Sequence, residues 1–398
     1  MRIATAFRYD SAVDSLQRRQ RDLADAEKAM TTGKRIAVPS DDPVGAARAE
    51  RALAARQRIE SSQRSVEASR SAMTLAEGAL GQANDMLQEA REALVLAGNG
   101  SFTAGERSAK AQQLTQLRSQ LLALSNQGNG AGGYLFGGQD SGAAPFSDTA
   151  AGVGYGAAPG DSGLSLEQTM PSTVDGRAIW LSAPRGNGVF VTGAAAANAG
   201  TAWIDAGGVS NPSALTGDNY SVEFTDNGGT LQYSVLRNGQ PTALSDVAYR
   251  SGQTISVDGM SFTIKGQPAA GDGFTMTPAT RDLSPFEALD SAIATLQDPN
   301  ANAGAIAQAV NSGLRDLDAV MGHIQAARAE VGATLSRLEA VDGRNQDRAL
   351  WAKSVQSEAE DIDMVQAISE FQNQQTGYQA ALQSYATVQR MSLFDYVK

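Results

Sequence analysis

Few residues of this chain have types and spacing that suggest chemistry. They are two pairs of carboxylates, Asp41 with Asp42 and Asp361 with Asp363, one histidine, His323, a glycine-rich run GNGAGGYLFGG, and a row of aromatics at Phe371, Tyr378 and Tyr385. Adjacent carboxylates can share a proton or a metal ion. In PSDDPVGAARAE, however, a helix start explains them: Asp42 can accept from the free N–H groups of a first turn, and Pro43 takes the first helical position, where its missing donor does no harm. DIDM lacks further oxygen ligands at calcium-loop spacing, and no Lys-Ser or Lys-Thr follows the glycine-rich run as a phosphate loop requires. His323 sits between Val320, Met321 and Ile324 in a helical pattern. With no cysteine and no second histidine in 398 residues, it has no partner for a zinc site or a Ser-His-Asp array and reads as a packed or surface residue. The aromatic row repeats every seven residues, the spacing of a seam between helices rather than of a binding face. Neither catalysis nor a cofactor is expected.

The same heptad spacing runs through both ends of the chain. Tyr9, Leu16, Leu23 and Met30 form one series, and Ile59, Val66, Met73, Leu80, Leu87 and Leu94 a longer one. Val310, Leu317, Ile324, Val331 and Leu338 keep the period on the C-terminal side, followed in a shifted register by Met364, Phe371, Tyr378 and Tyr385. Heptads sustained this long describe helices packed on helices. Proline permits them: the 12 prolines leave 44–144 and 300–398 free, and an interior proline would cost about 3 kcal/mol. The helix expected from about Pro43 to Ala97 stops at GNG, residues 98–100, and would be roughly 80 Å long at 1.5 Å per residue. Ser62, Ser69, Ala76, Ala83, Ala90 and Ala97, three residues after each heptad position, are all small and admit a close neighbour.

The middle has a different character. Of 41 glycines, 28 lie between Gly128 and Asp282, with 13 of the 23 aromatics. NYSVEF, LQYSVL and TISVDGMSFTIKG alternate apolar and polar residues, and Asn227-Gly228, Asn238-Gly239 and Asp258-Gly259 favour tight hairpin turns. The stretch from Gly128 to Gly163 offers little apolar material and is expected to be loop rather than core. The fold class that follows is α+β, a long helical coiled-coil or bundle rod formed by N- and C-terminal segments with an inserted β-rich outer domain.

Charge narrows the partners. A net charge of −11 and a pI near 4.7 argue against non-specific nucleic-acid binding, and no run approaches the roughly 18 apolar residues of a membrane span. MRIATAFRYD has no apolar core of the kind a Sec signal needs, which leaves the cytoplasm or export on an uncleaved N-terminus. Residues 1–35 hold eight Lys or Arg against five Asp or Glu, a net of plus three, while 355–398 hold two against six, a net of minus four. The ends therefore attract, though exposed pairs are each worth under ~1 kcal/mol. Single helices with few long-range apolar contacts are expected to be largely disordered in the free monomer.

Specific strings carry a resemblance. TTGKRIAVPSDDPVGAARAE resembles the N-terminal pattern of the flagellin family, and EVGATLSRLE with SEAEDIDMVQAISEFQNQQTGYQAALQSYATV resembles its C-terminal helices. GGYLFGGQDSGAAPF, the ending MSLFDYV, and GDNYSVEF with SGQTISVDGMSFTIKGQPAAGDGFTM are similar to segments of that family's hook-associated members. Residues 141–210 are the least covered. The resemblance implies a structural protein exported through the flagellar type III apparatus and added as a ring at the distal end of the hook. Residues 1–42 and 360–398 would form the inner coiled-coil layer, 43–140 and 281–359 the α-helical rod domain, and 141–280 the β-rich outer domain. Hook-associated protein 1 would lie on one side of the ring and flagellin on the other, and an export chaperone would hold the chain before secretion. Leu16, Leu23, Met30, Phe371, Tyr378 and Tyr385 are the residues expected to pack the inner layer. Two other readings stand beside this one: flagellin itself, and a surface enzyme or adhesin on a flagellin-like scaffold.

Overall fold

A computed structural model describes residues 2–130, 132–140, 142–163 and 170–394. The side chain of Tyr9 and the DYVK end lie outside the described residues. Among the described residues seven α-helices are seen: α1 (Arg2–Thr32), α2 (Pro43–Ala97), α3 (Ala104–Ser125), α4 (Gly176–Trp180), α5 (Pro285–Gln297), α6 (Ala303–Glu360) and α7 (Met364–Phe394), with the strands between α3 and α5. Helical ends thus flank a β-rich middle. The chain divides into two compact units, Met1–Arg64 with Val341–Lys398, and Ser65–Ala340; α2 and α6 each contribute to both.

In the larger unit the heptad residues of α2 from Val66 to Leu94 are buried, together with Ser69, Ala76, Ala83, Ala90 and Ala97. On α6, Val310, Leu317, Ile324, Val331 and Leu338 are buried in turn. The two helices run antiparallel in a steady register, with Arg91 2.8 Å from Asp318, Gln325 3.2 Å from Asn84, Arg328 2.6 Å from Glu77 and Arg70 3.4 Å from Glu339. A Cβ on Gly313 would fall 2.7 Å from the Leu94 side chain, so the helices meet closely there. A Thr103–Glu106 capping box starts α3, and Ser284 caps α5. These two helices pack together, and Leu114, Leu117 and Leu121 of α3 and Phe286, Leu289 and Ile293 of α5 are buried.

One expectation for this unit is overturned. The stretch from Gly128 to Gly163 contains a hairpin, Phe146–Thr149 paired with Gly152–Tyr155, and supplies core side chains: Leu135, Phe136 and Phe146 are fully buried. Phe136 meets Trp180 edge-on at 5.5 Å between ring centroids, and Trp180 stacks on Phe286 at 6.3 Å. Backbone approaches these side chains closely at Gly176, beyond that stretch. A Cβ on Gly176 would lie 2.3 Å from the Phe136 carbonyl oxygen.

The β-block holds an antiparallel sheet in the order Val247–Ala248, Thr230–Arg237, Tyr220–Asn227, Gly273–Pro278, Phe190–Ala194, and a smaller one centred on Met260–Lys265. Alternate residues Tyr220, Val222 and Phe224 point into a core with Phe262, Ile264, Phe274 and Met276. Asn238-Gly239 and Asp258-Gly259 form the two-residue turns expected, each with positive φ at both positions. At the third turn Asn227 pairs with Thr230, so Gly228 and Gly229 take the positive φ angles and the turn sits one residue later than expected.

Candidate assembly surface

In the smaller unit the chain makes two sharp crossings, from α1 to α2 and from α6 to α7, and backbone hydrogen bonds tie them together. Gly33 ends α1 in the left-handed conformation, its N–H donating to the Ala29 carbonyl at 2.9 Å. The next residues pair with the end of α6: Arg35 N donates to Glu360 O at 2.6 Å and Ile362 N to Gly33 O at 3.0 Å, around an antiparallel bridge between Lys34 and Asp361. Side chains reinforce this elbow. Lys34 Nζ lies 2.7 Å from Glu360 Oε2, and the Arg35 guanidinium donates to Asp42 Oδ2 at 3.2 Å and to Ala359 O at 3.0 Å.

Both carboxylate pairs of the sequence belong to this construction. Asp41 Oδ2 accepts from Ala37 N and Val38 N at 3.0 and 2.9 Å. Asp42 Oδ1 accepts from Val44 N at 3.1 Å and Gly45 N at 2.9 Å, capping α2 with Pro43 as its first residue. Asp363 Oδ1 caps α7 through Val365 N and Gln366 N at 2.9 and 3.2 Å, and Asp361 accepts from the Ser357 hydroxyl. The Gly45 N–H, with help from Arg35, holds the Asp42 carboxyl below the usual carboxylate range, and Glu360 raises Lys34 above its ordinary value. His323 lies in the larger unit, with Nε2 2.7 Å from the Ala178 carbonyl oxygen, where it ties α6 to α4. Among the described residues no cluster of His, Asp or Glu could hold a metal, and no helix is long and apolar enough to cross a membrane.

Beyond the elbow α1 and α7 pack on each other. Leu16, Leu23 and Met30 on one side and Phe371, Tyr378 and Tyr385 on the other are all half-buried; none is fully buried. Met364 does not join the seam and is exposed. The seam begins at buried Ala367 and continues through Phe371, Gln374, Tyr378, Ala381 and Tyr385, the alternating four-three spacing of a coiled coil. Met364 continues that spacing by three residues but is the first residue of α7, at the helix start where the Asp363 cap sits. The Arg19 guanidinium crosses α7 at Gly377, where a Cβ would lie 2.5 Å from Nη1. Phe7, Val365, Ile368 and Leu382 remain exposed on this pair, so two helices alone leave apolar surface uncovered. Among the described residues, the ion pair joining the oppositely charged ends is Lys34 with Glu360.

Besides Val341, the parts of α2 and α6 in this unit bury small or polar side chains and leave large apolar ones outside. Ala49, Ala52, Ala352 and Ala359 are buried, with Asn345 at 4% exposure on the heptad where Leu338 would be repeated; its amide donates to Ser62 Oγ at 3.1 Å and Gln63 Oε1 at 3.4 Å. Leu350 and Trp351 are 70% and 67% exposed. Sequence periodicity missed both features: Asn345 is polar and so breaks an apolar count, while Leu350 and Trp351 fall off the heptad.

Comparison with known proteins agrees with this geometry. Residues 3–141 match the bacterial flagellin N-terminal helical region, 314–397 the bacterial flagellin C-terminal helical region, and 194–278 the D2-like domain of flagellar hook-associated protein 1. The flagellar hook-associated protein 3 of Salmonella typhimurium is 26% identical over 398 residues, 99% of each chain. That of Escherichia coli is 36% identical over 117 residues, which span 28% of this chain and only 37% of that protein. The crystal structure of the flagellar junction protein FlgL from Legionella pneumophila is 30% identical, with a TM-score of 0.66 over 71% of this chain and 96% of that one.

Proposed function

The chain belongs to the flagellar hook-associated protein 3 family, and on that premise we propose that it forms the junction ring between the hook and the flagellin filament. Its role is a structural one in the flagellum rather than a catalytic one. Hook-associated protein 1 is the neighbour on the hook side and flagellin the neighbour on the filament side. The chain reaches its place through the flagellar type III export apparatus, held beforehand by an export chaperone. Residues 1–42 and 360–398 form the inner layer, 43–140 and 281–359 the rod, and 141–280 the outer domain.

The observation that carries this reading is the terminal pair. Its six seam residues are only half-buried and further apolar side chains are bare, so the pair gains most of its burial from neighbouring copies. Free ends with so little to bury are marginally stable, which limits premature assembly and suits passage through a narrow channel. Electron microscopy of a strain lacking this chain, with flagellin assayed in the medium, tests the proposal. Bare hooks with flagellin lost to the medium are expected. Hooks that carry complete junction rings but no filament would make the chain flagellin instead, and intact filaments would rule out both roles.

A further inference from the structure

Two exposed patches on the smaller unit have complementary chemistry. On α6, Leu350 and Trp351 stand in solvent beside Arg344 and Arg348, which precede Trp351 by seven and three residues, with exposed Asp347 four residues before it. Among the described residues no ion pair engages either arginine. At the start of α7, Val365 at 80% exposure and Ile368 at 43% stand beside Asp361 and Asp363. Asp363 uses only Oδ1 for its cap and leaves Oδ2 free of donors among the described residues. The first patch is aromatic and, with two arginines against Asp347, net basic; the second is aliphatic and acidic, and each is bare although both belong to one chain. Exposed Trp and Arg are the residue types that anchor interfaces most strongly.

We infer that the Leu350–Trp351 face of one copy receives the Val365–Ile368 face of the next, a head-to-tail contact between copies of this chain. Each copy offers one patch of each kind, so the contact is heterologous and propagates around a ring until it closes. Charge fixes its polarity, since arginines would meet arginines in the reverse pairing. The inference rests on the proposed role as a ring subunit and adds to it the lateral faces.

The chain has no cysteine, so introduced ones are unique. Flagella isolated from a strain whose sole copy carries Trp351→Cys and Val365→Cys, then oxidised, are expected to yield a ladder of covalently linked chains. Either single variant is expected to yield no ladder. An incorporated double variant that gives only monomer, or an intrachain disulfide, would overturn the inference. Because the cysteines could themselves weaken incorporation, a second variant reads charge alone. Arg344→Glu with Arg348→Glu, residues with no ion partner to lose in the single chain, is expected to be exported normally and to fall roughly tenfold in isolated flagella. Incorporation at the unsubstituted level would also overturn it. Absence of the unsubstituted chain from flagella would instead defeat the ring-subunit reading beneath it.

Discussion

At the residue scale, the carboxylates that looked most like catalytic groups hold the backbone turns on which the terminal helices hang. Titration of Asp42 and Lys34 gives the elbow a pH window. The Asp42 carboxyl is held below its ordinary value, so its contribution is present above the unfolded pKa and lost as pH falls through the folded one. Lys34 is raised by Glu360, so its contribution is present below the ordinary lysine value and lost as pH rises through the raised one. The elbow is therefore expected to be intact between about pH 4 and about pH 10. Hydrogen exchange at the Gly45 amide, which donates to Asp42, checks the lower limit: protection at neutral pH that is lost only once pH has fallen below the ordinary aspartate value is expected. Asp42→Ala should lower the melting temperature of the smaller unit, and Asp42→Asn should lower it less, because asparagine caps as well as aspartate but loses Arg35. The cap was readable in the sequence because Asp42, Pro43 and Gly45 are neighbours. The tie from residues 33–35 to 360–362 was not, since nothing local marks a pairing across most of the chain.

At the scale of elements, the long helices and hairpins were legible where one local rule decided them. Helix α2 runs from Pro43 to Ala97 as its cap and its Gly98 stop implied, and two of three turns fall where their dipeptides put them. The third moved because Gly229 offered a second glycine, an alternative the Asn-Gly pattern does not weigh. The loop expected from Gly128 to Gly163 failed for another reason: composition averages over a stretch, whereas burial depends on where its few large side chains go. Phe136→Ala should accordingly cost about 3–5 kcal/mol in denaturant unfolding of the full chain, the range for a buried aromatic. Gly377 makes the opposite case. It lies inside α7 with only the mobile tip of Arg19 above it, so Gly377→Ala should stabilise that helix by up to about 1 kcal/mol, read as a higher melting temperature by circular dichroism.

At the scale of the whole molecule, burial is unevenly distributed. The larger unit closes its own cores with leucine, methionine and aromatics, whereas the terminal pair of the smaller unit closes only half of its seam and leaves Val365 and Phe7 bare. A chain built this way keeps its closed cores in one part and an uncovered apolar seam in another. The heptads of the sequence revealed the seam but not its incompleteness, because periodicity reports which residues share a face and not how much of that face is covered. We propose that Leu16, Leu23, Met30, Phe371, Tyr378 and Tyr385 serve assembly rather than folding of the chain. The most direct test is to make Leu23→Asp with Phe371→Asp and measure, in the same strain, the amount of this chain in isolated flagella and the thermal unfolding of the purified protein. Loss of stable incorporation with the unfolding transition of the larger unit unchanged is predicted. Normal incorporation, or a collapse of helicity throughout the purified chain, would contradict it.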